Sequence, residues 1–249
     1  MTHKKTNVFL IFLPAIIFLG LWEFGVMGSE RLRFLFAAPS LIFQAGLAAL
    51  STGTIYKDVF FTLAETIAGL CWGMAAGTIV GLLLSWNSTL NDISRPYIIL
   101  LGAIPIFALA PVTIMWFGIG FLSKAIMAGF AVFFVALSQA YEGARIANKQ
   151  YAGFARSLNA RPTLMIRKII VPGALDWVFN GFKMNVGLAL TGAFIAEFVS
   201  SEAGLGNYIL RASSLYDMPK VFFGLLLMSC IAILLTSVAE AAQKKFWPH

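Results

Sequence analysis

Six apolar runs of twenty or more residues recur along this chain, at approximately 8–28, 58–86, 95–117, 122–141, 173–198 and 220–241. A helix rises 1.5 Å per residue, so about twenty residues match the ~30 Å hydrocarbon core of a bilayer. Hydrocarbon cannot hydrogen-bond a backbone, which leaves helices or closed barrels as the only spanning structures. Barrel strands would alternate apolar and polar residues over about ten positions, whereas these runs are continuous. The fold class is therefore all-α: a polytopic membrane protein with six transmembrane helices. Only 12% of the residues are charged, about half the share usual in soluble domains.

Charge orients the helices. Six spans put both termini on one side, and that side collects Lys4, Lys5, Arg95, Arg145, Lys149, Arg156, Arg161, Arg167, Lys168, Lys244 and Lys245. The other side has Arg31, Arg33, Lys57, Lys124, Arg211 and Lys220. The positive-inside rule then predicts both termini in the cytoplasm, with the loop 142–172 on the same side. This distribution accounts for the net charge of +7 without nucleic acid, since no basic domain with interleaved aromatics is present. Lys4 and Lys5 precede an apolar stretch as in a signal peptide, but no small-x-small pattern follows it. The stretch reads as a retained first helix. No low-complexity linker divides the chain, so residues 1–249 read as a single membrane domain.

The remaining features are local. Residues 29–57 read as too polar to span, with a short external helix after Pro39 for which Ser40 is the expected cap. Gly69, Gly73, Gly77 and Gly81 recur every four residues on the second span, a smooth stripe that lets another helix approach closely. Pro105 and Pro111 interrupt the third span and should kink it, and such breaks often lie beside transport pathways. Phe107, Trp116 and Phe117 flank that break. Glu65 and Lys183 are the deepest ionisable side chains, each needing a partner or a cavity. Glu23 and Glu197 read as interfacial, and Cys71 and Cys230 as small core residues. His3 and His249 sit at the chain ends. No P-loop, H-E-x-x-H, C-x-x-C or G-x-S-x-G motif occurs. The sequence offers no catalytic constellation and no metal site, and points to passage or scaffolding.

One segment departs from the apolar pattern. ARSLNARPTLMIRKIIVPGAL, residues 155–175, has four basic side chains and no acid. Ile146–Leu158 reads as a helix, Asn159-Ala160-Arg161 as a turn, and Pro162 as the first turn of a second helix over Thr163–Ile170 that Pro172 ends. Topology alone would require only the charges. The apolar Phe154 and Leu158 among them predict a docking surface.

This stretch resembles the cytoplasmic signature loop of bacterial ATP-binding-cassette importer permeases, which runs Glu-Ala-Ala, three residues, Gly, nine residues, Ile, one residue, Leu-Pro. With Pro172 on the last proline, Ala155 and Ile169 match and Val171 is conservative. Gly153, Phe154 and Asn159 depart, Asn159 intelligibly, because asparagine tolerates a left-handed turn. IPIFALAPVTIMWFGIGFLSK, GLALTGAFIAEFV and SEAGLGNYI resemble the nitrate/sulfonate/taurine branch of these permeases. The resemblance implies the MetI-like, type I importer fold in a bacterial inner membrane. It implies a second copy of the chain, two ATPase subunits that hold ATP and magnesium, and a periplasmic binding protein; this chain itself would bind no cofactor. It places the coupling helix at about 152–165, with Phe154, Ala155, Arg156, Leu158, Asn159, Ala160 and Arg161 at its centre and Pro172 closing the motif. It places Gly204 and Gly206 in an external turn near the outer gate or the binding-protein contact. The residues themselves supply the pathway candidates Glu65, Pro105, Phe107, Pro111, Trp116 and Lys183. A small anion, a vitamin precursor or an aromatic compound would be the solute. The alternative is a secondary transporter or channel that needs no ATPase.

Overall fold

The computed structural model describes residues 8–85 and 88–246, all helices and short connections with no strand among them. The helices are α1 (Val8–Met27), α2 (Glu30–Phe36), α3 (Pro39–Thr52), α4 (Thr54–Ser85), α5 (Ser88–Gly102), α6 (Ala110–Phe117), α7 (Phe121–Ser157), α8 (Pro162–Met165), α9 (Val171–Asn180), α10 (Phe182–Val199), α11 (Leu205–Ser214) and α12 (Met218–Phe246). α4, α7, α10 and α12 are each long and apolar enough to cross a membrane, and the number among the described residues rises to six if each of the bent pairs α2–α3 and α5–α6 counts as one span. The sequence reading counts 8–28 and excludes 29–57. Residues 30–52 form the bent pair α2–α3, whose helices meet at 45° and are long and apolar enough to cross only when taken together.

The glycine stripe decides how the bundle packs. Gly69 lies against Ala125 and Ala128 of α7, Gly73 against Gly129, Gly77 against Phe133 and Ala136, and Gly81 against Leu137 and Ala140. The partner numbers rise together, so α4 and α7 run parallel, and they share the largest interface in the fold. Gly129 returns the favour to α4 by seating the Trp72 indole, whose Nε1 donates to the Ala125 carbonyl at 2.9 Å. Lipid gives helices no hydrophobic reason to associate, so backbone proximity of this kind is what holds them. α10 and α12 close the core around Leu70, Val132, Ala136, Val186, Ala189 and Ala239.

Several boundaries differ from expectation, each for a local reason. α7 is one helix of 37 residues, so Ile146–Ser157 continues the fourth span and is not a separate loop helix. The fifth run divides at Gly181, where Gln139 of α7 presses on the backbone. At the third run, α5 and α6 meet at 83°. Pro105 precedes a single 3-10 turn, Ile106–Leu109, and proline disfavours a helical residue before it. Pro111 makes no kink, since it sits in the first turn of α6, where no backbone donor is needed. Ser40 is not the cap of α3: Ala38 occupies that position. The Glu23 carboxylate instead accepts from the Ser40 amide and hydroxyl at 3.0 and 2.6 Å, placing negative charge at the helix's positive end. Cys71 and Cys230 are on the outer surface. Lipid-facing and core positions are equally apolar here, so sequence cannot separate them.

Candidate functional site

The two ends of the bundle carry the polar chemistry. At one end α7 projects to Ser157 and stops in a left-handed turn: Asn159 has φ +51°, and the Ala160 amide donates to the Ala155 carbonyl at 3.0 Å. That bond spans six residues, the Schellman closure that a left-handed residue permits. The Leu164 and Met165 amides then donate to the Arg161 carbonyl at 2.9 and 3.2 Å and start α8 at Pro162. Pro172 does not end the second helix. A π turn over Ile166–Ile170 closes with the Val171 amide on the Ile166 carbonyl, and this wider turn admits the proline ring without breaking the chain's helical course.

The result is an elbow with apolar teeth, closed by its own backbone hydrogen bonds. Ala155 is buried at its base, whereas Phe154 and Leu158 are each 64% exposed and Leu164 51%. Arg161, Arg167 and Lys168 are exposed around them; the side chain of Arg156 lies outside the described residues. Gly153 has open space where a side chain would stand. Beside the elbow, a groove of about 500 Å³ between α7 and α9 is lined by Gln150, Tyr151, Lys168, Asp176 and Trp177, among others.

At the opposite end, α4, α7, α10 and α11 enclose a polar cluster. α11 begins with Gly204 at φ +109°, and three successive amides there point at α4 and α10. Gly204 donates to Asp58 Oδ1 at 2.9 Å, Leu205 to Thr62 Oγ1 at 2.9 Å, and Gly206 to Glu197 Oε2 at 2.7 Å. A helix N-terminus suits such acceptors because its first amides lack partners and its dipole favours negative charge. Thr62 donates to Glu197 Oε1 at 2.7 Å. Arg211 reaches Asp58 at 3.4 Å from the solvent side, and Lys124, 1% exposed, donates to the Ile119 carbonyl. Just beyond, burial pushes the Tyr208 hydroxyl up to about 12. No group of His, Cys, Asp and Glu among the described residues could hold a metal ion.

Sequence reasoning singled out Glu65, Gly204 and Gly206 one by one and missed the assembly that joins them. Glu197 is fully buried, not interfacial, and Lys124 is buried with it. Thr62 and Glu197 stand 135 positions apart, so no local signal joins them; the hint was a Thr and two acids at positions 58, 62 and 65, one face of a helix. Lys183 does not meet Glu65. It pairs with Glu240 of α12 at the bundle surface. Phe107 and Trp116 are exposed beside the α5–α6 bend, 65% and 68%.

Gly204→Ala is expected to loosen the cluster. A Cβ there would stand 2.3 Å from Glu197 Cδ, at a φ that side chains avoid, a cost of about 1–3 kcal/mol from backbone strain alone. A lower thermal midpoint of the purified chain checks this; an unchanged midpoint contradicts it.

Residues 69–248 match the family of binding-protein-dependent transport system inner membrane components. The chain belongs to this family. The permease is 30% identical over 229 residues to the riboflavin transport system permease protein RibX of Chloroflexus aurantiacus, covering 92% of this chain and 85% of the relative. It is 28% identical to the formylaminopyrimidine transport permease protein ThiX of Halalkalibacterium halodurans, covering 89% of each. It is 26% identical to the taurine transport system permease protein TauC of Escherichia coli, covering 84% and 76%. Its fold is similar to the inward-facing MetNI methionine ABC transporter, with a TM-score of 0.63 at 18% identity over 78% of this chain and 97% of that one. The permease is thus a transport component of the inner membrane with the importer-permease fold.

Proposed function

We propose that two copies of this permease form the membrane channel of an ATP-driven importer, with both termini and the loop 142–172 in the cytoplasm. Two partner ATPases, holding ATP and magnesium, dock on the elbow. A periplasmic binding protein delivers solute to the end that carries the buried cluster. The observation that supports this reading best is the elbow itself. Phe154, Leu158 and Leu164 are exposed on a turn stiffened by the Asn159 closure and anchored through buried Ala155. Exposed apolar residues in a rigid frame are what a partner's groove needs in order to push on α7 without losing force to loop motion. α7 then transmits the push along the glycine stripe to α4.

Phe107 and Trp116, exposed beside the 83° bend, favour a planar or aromatic solute over a bare anion, in line with the names of the riboflavin and formylaminopyrimidine relatives. A channel or secondary transporter would work without an ATPase. Reconstitution with the partner ATPase and binding protein should give solute uptake that stops when ATP is replaced by a non-hydrolysable analogue. Uptake by the permease alone, without nucleotide, overturns the proposal.

A further inference from the structure

The cluster at the end opposite the elbow holds an imbalance. Asp58, Glu65 and Glu197 are 4%, 2% and 0% exposed, three carboxyl groups. Two cations face them: Lys124 from α7 and Arg211 from α11. Lys57 and Glu202 stand nearby, both exposed to solvent, and Tyr208 faces Asp58 from α11. Three acids against two bases leave one negative charge uncompensated in a water-poor interior, which is costly unless a proton removes it.

Geometry says which acid takes the proton. Asp58 accepts from the Gly204 amide and from Arg211. Glu197 accepts from Thr62 and the Gly206 amide. Glu65 has no such donor: its Oε2 is buried with no partner among the described residues. It stands one turn along α4 from Thr62, whose hydroxyl donates to Glu197 at 2.7 Å, and this sets the two carboxyl groups side by side between α4 and α10. Two ionised carboxylates would repel at that range, whereas a neutral carboxyl donates a strong charge-assisted bond to an ionised one.

We propose that Glu65 is a proton-binding site, a neutral acid donating to ionised Glu197, and that this proton fastens α4 to the α10–α11 turn. Thr62 secures the same pair of helices from one turn below. The fastening needs no ATPase, substrate or second copy, so it stands whether or not the importer reading does.

The test is infrared spectroscopy of the full-length chain in lipid nanodiscs at neutral pH. The wild type should show a protonated-carboxyl C=O band that exchanges slowly in deuterated buffer. Glu65→Gln should abolish that band while keeping the thermal midpoint, because the amide still donates to Glu197. Glu65→Ala should lower the midpoint. Should Glu65→Gln fail to accumulate, Glu65→Asp serves, since it should shift the band's frequency. Absence of the band from the wild type, its survival unchanged in the Glu65 variants, or a Glu65→Gln midpoint as low as that of Glu65→Ala would each overturn the assignment.

Discussion

Gly73→Ala is expected to destabilise the permease, while the same substitution at Gly187 stabilises it slightly. In an isolated helix alanine is favoured over glycine by about 0.5–1 kcal/mol. Gly187 faces open space, so that intrinsic preference should show there. At Gly73 the new methyl would stand 2.4 Å from the Gly129 carbonyl oxygen and 2.9 Å from its Cα. These are backbone atoms, so no rotamer change relieves the clash, and α4 must move off α7. Overpacking of this kind costs about 1–3 kcal/mol, enough to reverse the sign. Gly73→Val should abolish accumulation of folded protein, since its two γ-methyl groups force the helices further apart and unseat the neighbouring Trp72 indole from Gly129. Denaturant midpoints of the purified alanine variants, and the monodisperse yield of the valine variant, measure this. Equal midpoints for Gly73→Ala and Gly187→Ala would show that the stripe does not carry the packing.

That stripe was legible in the sequence because its meaning is local. Four glycines at a spacing of four must share a face, whatever they touch. The elbow was legible for the same reason: Asn159 advertises a left-handed residue and Pro162 a helix start. What the sequence could not supply was pairing across distance. Glu197 reads as interfacial because it sits near a span's end, and only the return of α11 over α10 buries it. Two charges in apolar runs do not say whether they meet: Glu65 and Lys183 lie towards opposite ends of the bundle, and Lys183 meets Glu240. Boundaries failed where tertiary contact overrides propensity. α7 passes straight from apolar to basic sequence because Ala144, Ala147 and Ala155 keep one buried face going towards Ser157. Composition changes along that helix; its packed face does not.

Phe154→Asp combined with Leu158→Asp should release the ATPase partners and cut uptake at least tenfold, with the permease still folded. Both side chains are 64% exposed, so the free chain loses no packing, and surface changes of this kind usually stay within about 0.5 kcal/mol. In a docked complex the account reverses. Truncating an anchor in a partner's pocket costs about 2 kcal/mol or more, and a carboxylate in its place must be desolvated without a partner. Two such sites exceed about 4 kcal/mol, roughly a thousandfold in affinity. Co-purification of the ATPase reads the affinity and the thermal midpoint of the permease reads the fold, so the two effects separate. Lys149→Ala, a change to an exposed base on α7, is the control and should leave co-purification intact. An ATPase that stays bound to the double variant would move the docking surface off the elbow. The groove lined by Gln150, Tyr151 and Trp177 would then be the next surface to alter, because it borders the same helix and its walls are α7 and α9, the two elements that a displaced elbow would carry with it.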